Sequence, residues 1–271
     1  MPLSPRLLRP RAAASTAFDP RSIAGLALWL DAGDSSSVTL NSGNVSEWRD
    51  KSGNGKHYAQ STAASQPAYV ASGQNARSVI RTDGTKHLRR ESGGSPLVES
   101  LNYFGETTQS VFIAWKATSR SFANYLFWAN NNNGTVRLQI TGPASGSGSL
   151  AQYFIDSGNS TAGRLSTTTS ALTFTNSHLI AFRRDGSSYA AWANGTSVGT
   201  ATNASAPAFS TSGTASIFTA LNNAGGLLDG AGAITPGGDL YEIACYSRSL
   251  TDSERQAIER YIGAKWGITV A

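Results

Sequence analysis

Two hairpin dipeptides, Asp185-Gly186 and Asn194-Gly195, sit inside one short run of alternating apolar residues. Two-residue hairpin turns need backbone with positive φ, which Gly, Asn and Asp adopt most readily. The stretch therefore predicts a three-stranded meander over 178–184, 189–193 and 197–199. A meander commits the chain to antiparallel sheet, and the rest of the sequence agrees. Further strands are expected at 25–31, 45–50, 68–70, 78–82, 110–116, 125–128, 136–140, 151–155, 215–220 and 239–247. Charged residues make up only 14% of the chain, against a usual ~25%. Glycine, at 28 residues, is joined by abundant Ser, Thr and Asn. This balance suits many short strands and tight turns. At 271 residues the chain fits one large all-β domain or two small ones, and needs no disulfide staples.

Apolar runs mark both ends of that domain. Gly25-Leu26-Ala27-Leu28-Trp29-Leu30-Asp31-Ala32 is apolar on both faces and predicts a central strand between covered surfaces. Near the other end, the run 238–250 contains the last expected strand, 239–247. After it, Thr251-Asp252-Ser253-Glu254 has the spacing of a capping box, in which hydroxyl and carboxylate satisfy each other's backbone donors. Ile258, Tyr261, Ile262 and Trp266 then share one helical face, and Gly267 is placed to end the helix. The single cysteine, Cys245, lies in an apolar run and reads as a small buried side chain. His57, His87 and His178 show no patterned relation to it.

Residues 1–24 have a different character. Prolines at 2, 5, 10 and 20 forbid a regular helix or a central strand. Arg6, Arg9, Arg11 and Arg21 are opposed only by Asp19 and carry much of the +5 net charge. The segment predicts an extended basic arm, laid on its own domain or on a neighbouring subunit. Pro and Arg recur too often for a secretory signal, and no segment approaches the ~20 apolar residues of a membrane span. The expectation is a soluble chain made in the cytoplasm.

With these residues in view, the chain resembles the concanavalin A-like jelly roll, in particular laminin-G-like domains of bacteriophage structural proteins and bacterial surface proteins. The resemblance spans residues 24–268. It rests on Gly-Leu-x-Leu-Trp-Leu-Asp-Ala at 25–32, Val-Ser-x-Trp-Arg-Asp-Lys-Ser-Gly-Asn-Gly at 45–55, the hairpin ending Trp192-Ala193-Asn194-Gly195, and Gly-Asp-Leu-x-Glu-x-x-x-Tyr-x-Arg-x-Leu-Thr-Asp-x-Glu-Arg at 238–255. It implies a two-sheet antiparallel jelly-roll sandwich over 25–271 with one short C-terminal helix. Fold of this kind does not decide function.

Four chemistries have candidate residues. Glycoside hydrolysis needs two carboxylates across a sugar bond. The Glu-x-Asp-x-x-Glu strand pattern of jelly-roll glucanases is absent. Asp239 and Glu242, three apart, would point to opposite faces of a regular strand, so the chain reads as no enzyme. Calcium is a candidate cofactor through Asp31, Asp34, Asp50, Asn54 and Asp83 near loop ends, although loop Asp and Asn more often form turns. A glycan platform is a candidate at Tyr125, Trp128 and Asn131, beside the Asn-rich segment 130–133; the other five tryptophans read as packed. Lys86-His87-Leu88-Arg89-Arg90 reads as a solvated edge or loop, and nothing beyond the arm suggests nucleic acid or a membrane.

The reading that follows is a non-enzymatic virion protein: a head decoration or cement protein. Its arm would grip the major capsid protein or another virion protein through Leu3, Arg6, Leu7, Leu8, Arg9 and Arg11, with a homo-oligomer as a further candidate assembly. The alternative is a carbohydrate-binding adhesin or tail-fibre module that recognises a cell-surface glycan.

Overall fold

The two apolar ends of the chain meet. The opening run forms the strand Leu26–Asp31 and the closing run the strand Gly237–Tyr246. They pair antiparallel, with Trp29 opposite Ala244 and Asp31 opposite Glu242. The structure, a computed structural model, describes residues 18–101, 107–117, 125–131, 137–141, 151–156, 164–167, 176–202, 212–219, 221 and 237–271.

From the closing strand the first layer continues through Thr108–Ala117, His178–Asp185, Ser188–Ala193 and Thr196–Thr202. The last three are the predicted meander. Asn194 and Gly195 take φ of 49° and 80°, so both turn positions are left-handed as expected. In the first hairpin Asp185 pairs with Ser188, which moves the turn to Gly186 and Ser187.

The second layer runs through Asn44–Trp48, Tyr58–Ala59, Leu88–Arg89, Ser212–Ile217, Tyr125–Asn131, Arg137–Thr141, Ala151–Asp156 and Arg164–Thr167. The hairpin Ala68–Gln74 and Arg77–Asp83 ties the layers at one side, pairing with the start of the closing strand and, through Ala68, with Asn44. The result is an antiparallel β-sandwich, mostly β, with one C-terminal helix.

Period-2 alternation divides the first layer's side chains. Leu28, Leu30, Val111, Ile113, Ile180, Phe182, Ile243 and Cys245 form the sheet-to-sheet core. Cys245 is buried as its sequence context implied, and desolvation pushes its thiol well up. Trp29, Phe112, Ala114, Ala181 and Glu242 face the other way, under the helix Asp252–Trp266. That helix has both capping-box bonds at Thr251 and Glu254, and Gly267 ends it at φ 68°. Its buried face carries Ile258, Ile262 and Trp266, with Tyr261 half-buried at the margin. The face also buries Arg255 and Glu259, which form an ion pair one turn apart.

Two expectations change. The opening strand lies at an edge: among the described residues it pairs only with the closing strand. Its free side is covered by the loop after Trp48. The Lys51 amide donates to the Trp29 carbonyl at 2.7 Å, and the Asn54 side chain donates to the Leu26 and Ala27 carbonyls. Asp50 holds the loop, accepting from the amides of Trp29, Ser52 and Lys56 and from the Ser52 hydroxyl. A covered edge looks like a central strand in sequence because both of its faces stay buried.

The segment 86–90 is also no solvated loop. Leu88–Arg89 is an interior strand between Ser216, Ile217 and Ala59, and His87, Leu88 and Arg90 are buried. Its charges are met by acids further along the chain, Arg89 by Glu91 at 2.7 Å and Arg90 by Glu99 at 2.6 Å.

Residues 18–24 pack on the domain itself. Pro20 is buried, its carbonyl accepting from the Tyr246 hydroxyl at 2.9 Å, and the Phe18 ring lies 5.5 Å from that of Tyr261. Residues 1–17, and with them Leu3, Arg6, Leu7, Leu8, Arg9 and Arg11, lie outside the described residues.

Burial, and secondarily the Arg89 charge, push His87 down to about 4. The Gln60 amide nitrogen sits 3.0 Å from His87 Nε2, a contact in which the neutral ring accepts. The unfolded ring titrates near ~6.5. As pH falls from ~6.5 to ~4, the unfolded chain takes up a proton that the folded chain refuses, so stability is lost across this window. Urea midpoints should fall over that range by up to ~3 kcal/mol in free energy, and His87→Gln should flatten the slope.

Candidate functional site

An acid inside a buried apolar strand needs a partner. Two such acids, Asp31 and Glu242, stand opposite each other on the paired end strands. Glu242 is completely buried. Its Oε1 accepts from Trp29 Nε1 at 2.8 Å, and its Oε2 accepts from Trp266 Nε1 at 2.7 Å and Lys265 Nζ at 2.8 Å. The same ammonium reaches Asp31 Oδ1 at 2.6 Å. Lys51, from the edge-covering loop, binds Asp31 Oδ2 at 2.9 Å and Asp34 Oδ2 at 2.6 Å, and lies 4.2 Å from the Trp29 ring centroid.

Local structure delivers these groups. The capping box fixes where the helix starts, which sets Lys265 and Trp266 in its last turn. A bulge in the closing strand at Tyr241 lets that ring stack on Trp266, with centroids 5.0 Å apart. The helix's final carbonyls are received by the neighbouring hairpin. Gln74 donates to Trp266 O, and both Asn75 and Arg77 Nε donate to Lys265 O. Burial raises the Glu242 carboxyl, and the Asp31 charge adds to this while Lys265 and Trp266 oppose it. Asp34 is held at about 2, chiefly by its bond to Lys51.

A cleft of about 710 Å3 opens above this ionic floor. Phe18 and Tyr261 form one wall, and Arg77 stands on the rim with Asp34. Gly33 and Ala264 keep the space open. A Cβ on Gly33 would lie 3.3 Å from Trp266 Cη2 and 3.4 Å from Arg77 Cδ. Two other clefts are smaller. One, of about 410 Å3, includes Lys116, His178 and Asn194; the other, of about 340 Å3, includes Arg183, Tyr189 and Thr200.

The sequence candidates fare differently. Asp239 and Glu242 share a face, because the bulge puts them in register with Lys116 and Ala114. Neither is free for acid–base work: Asp239 is held by Arg81 through two bonds of 2.5 and 2.8 Å, and Glu242 has both oxygens occupied. The proposed calcium ligands do not converge. Lys51 fills the space between Asp31 and Asp34, Asp50 and Asn54 serve the edge loop, and Asp83 caps its own turn at Thr85. Among the described residues no group of three or more His, Cys, Asp or Glu is arranged to hold a metal. Tyr125, Trp128 and Asn131 lie on a strand paired on both sides, with Trp128 in register with Gln139 and Ser216. The strand runs through Asn131, past the expected start of the loop. Trp29, Trp48, Trp115, Trp192 and Trp266 are all buried, as expected. Sequence reasoning missed the ionic floor and the part played in it by Lys51 and Lys265. The available signal was the pair of acids embedded in otherwise apolar terminal strands.

No protein-family model and no curated protein matches the chain. Solved structures match it in fold. Domain 4 of AbnA, a GH43 extracellular arabinanase from Geobacillus stearothermophilus, in complex with arabinotriose, aligns with a TM-score of 0.53 at 14% identity, over 84% of this chain and 95% of that one. The binding domain of Paraclostridial Mosquitocidal Protein 1 aligns with a TM-score of 0.57 at 12% identity, over 89% of this chain and 52% of that one. A GH54 α-L-arabinofuranosidase soaked with a cyclic sulfate inhibitor gives 0.56 at 13%, over 82% and 51%. The shared feature is the β-sandwich fold. None of the three is a virion protein, so they lend no support to the phage half of the sequence resemblance.

Removing one partner of a buried ion pair leaves the other charge stranded, at a cost of ~3–5 kcal/mol. Lys265→Met should therefore destabilise the protein by about that much in urea unfolding. Glu242→Gln in the same background should recover part of the loss; strictly additive effects would show that the two groups are uncoupled.

Proposed function

We propose that this chain is a carbohydrate-binding module, a domain that holds a glycan without cleaving it. The observation that carries the reading is its likeness, over nearly the whole of that domain, to the arabinanase domain bound to arabinotriose. The local chemistry supports it. Hydrolysis requires two carboxylates facing a sugar, one of them able to donate a proton. Asp31, Asp239 and Glu242 are each spent on cations or indole N–H groups. What remains accessible is a cleft with aromatic walls and polar rims, the usual form of a small-ligand site. The partner is then a polysaccharide or a cell-surface glycan, which favours the adhesin reading over the decoration reading. The decoration reading keeps one support, the arginine-rich composition of residues 1–11.

A glycan-array screen of the full-length chain should give discrete hits, and incubation with those glycans should release no reducing sugar. Silence across the array would sink the reading. Sugar release abolished by Glu242→Gln would replace it with a hydrolase.

A further inference from the structure

The geometry points to the Phe18–Tyr261 cleft as the sugar seat and to an uncharged glycan as its ligand, an inference that rests on the carbohydrate-binding reading. Three observations converge on it.

The first is the wall. The Phe18 and Tyr261 rings lie 5.5 Å apart at 44°, and neither is fully buried. A sugar ring carries an apolar C–H face that packs on such a surface, while its hydroxyls turn to polar groups at the rim. The Tyr261 ring offers an apolar face for this packing, while its hydroxyl turns to the floor and accepts from Lys265 Nζ at 3.3 Å.

The second is the rim. Arg77 spends Nε on the Lys265 carbonyl, and its two terminal nitrogens have no hydrogen-bond partner among the described residues. They form a planar fork of donors at the mouth of the cleft. Adjacent sugar hydroxyls can accept from such a fork. On the same rim, the partly exposed Asp34 carboxylate can accept from a ligand hydroxyl.

The third is charge. Three carboxylates (Asp31, Asp34 and Glu242) meet three cations (Lys51, Lys265 and Arg77) within the cleft and its floor. Asp31 and Glu242 are already neutralised by short bonds to ammonium groups. Asp34 is neutralised likewise by Lys51 at 2.6 Å, so the formal charges of the cluster cancel, and a contact to exposed Arg77 alone gives an anion little preference. Hydroxyls, which donate and accept together, match both groups at once. The volume of about 710 Å3 falls inside the ~300–1,000 Å3 of ligand sites and has room for a short oligosaccharide. The floor is locked by the Trp29–Glu242–Trp266 bonds, so little ordering cost falls on binding.

The test is calorimetric titration of the full chain with arabinotriose, maltotriose and trigalacturonic acid, repeated on Tyr261→Ala and Arg77→Ala and, as a control, on Trp128→Ala, with melting temperatures to confirm folding. At least one neutral sugar should bind ~10-fold or more tightly than the uronide, and each variant should lose ~10-fold, about 1.4 kcal/mol. Arg77 is exposed, so its variant keeps the test open if Tyr261→Ala fails to fold. Tighter binding of the uronide, or no binding of either neutral sugar, overturns the uncharged-ligand inference. Neutral binding undiminished in both variants, or lost only on Trp128→Ala, places the sugar elsewhere and overturns the cleft. A glycan array silent for the wild-type chain, by contrast, would bring down the carbohydrate reading itself.

Discussion

A single buried carboxylate ties the two ends of this chain together. Glu242 belongs to the last strand, Trp29 to the first, and Lys265 and Trp266 to the final helical turn, and all three of these side chains donate to it. Desolvating an isolated carboxylate costs several kcal/mol, so Glu242 is tolerable only with these donors in place. The demand is geometric. Two indole N–H groups and one ammonium must arrive from separate elements, which fixes the helix over the sheet in one position. Apolar packing of Ile258 and Ile262 would tolerate small sliding of the helix, whereas three directed bonds do not.

The same interaction explains why the edge-covering loop can matter so far from the helix. Lys51 reaches Asp31 from the loop, and Lys265 reaches the other oxygen of Asp31 from the helix. Asp31 is thus the joint between two structures that do not otherwise share a hydrogen-bonding partner in this cluster. Loop, strand and helix are held through a chain of alternating charges whose members each have an opposite neighbour. Networks of this sort are stable only when complete.

Most of the fold was readable from the sequence, because its signals are local. The Asn194-Gly195 turn and the Thr251–Glu254 capping box each need only a few neighbouring residues to declare themselves. What escaped depends on the third dimension. The opening strand looked central because a loop buries its edge. The segment 86–90 looked solvated because Glu99, which answers Arg90, and the flanking strands at Ala59 and Ser216–Ile217 come beside it only once the chain has folded back. The bulge at Tyr241 broke the period-2 rule by one residue, which carried Glu242 to the face of Asp239. The candidate cleft was the least legible part. Phe18, Arg77 and Tyr261 come from the arm's root, a hairpin and the helix, and no spacing in the sequence links them.

The arrangement that denies this site acid–base chemistry is also what fits it to the proposed carbohydrate-binding role. Releasing a carboxylate for catalysis would mean withdrawing Lys265 from Asp31 or Glu242, and each withdrawal would strand a charge beneath the helix. Fold and hydrolysis therefore compete for the same side chains at this position, and the fold holds them. With the acids spent on architecture, the surface above them is left with aromatic rings and one unspent guanidinium. Such groups recognise shape and hydroxyls and have no means to break a glycosidic bond. A relative that hydrolysed sugars on the same sandwich would need its acids on another face, away from the closure of the chain's two ends.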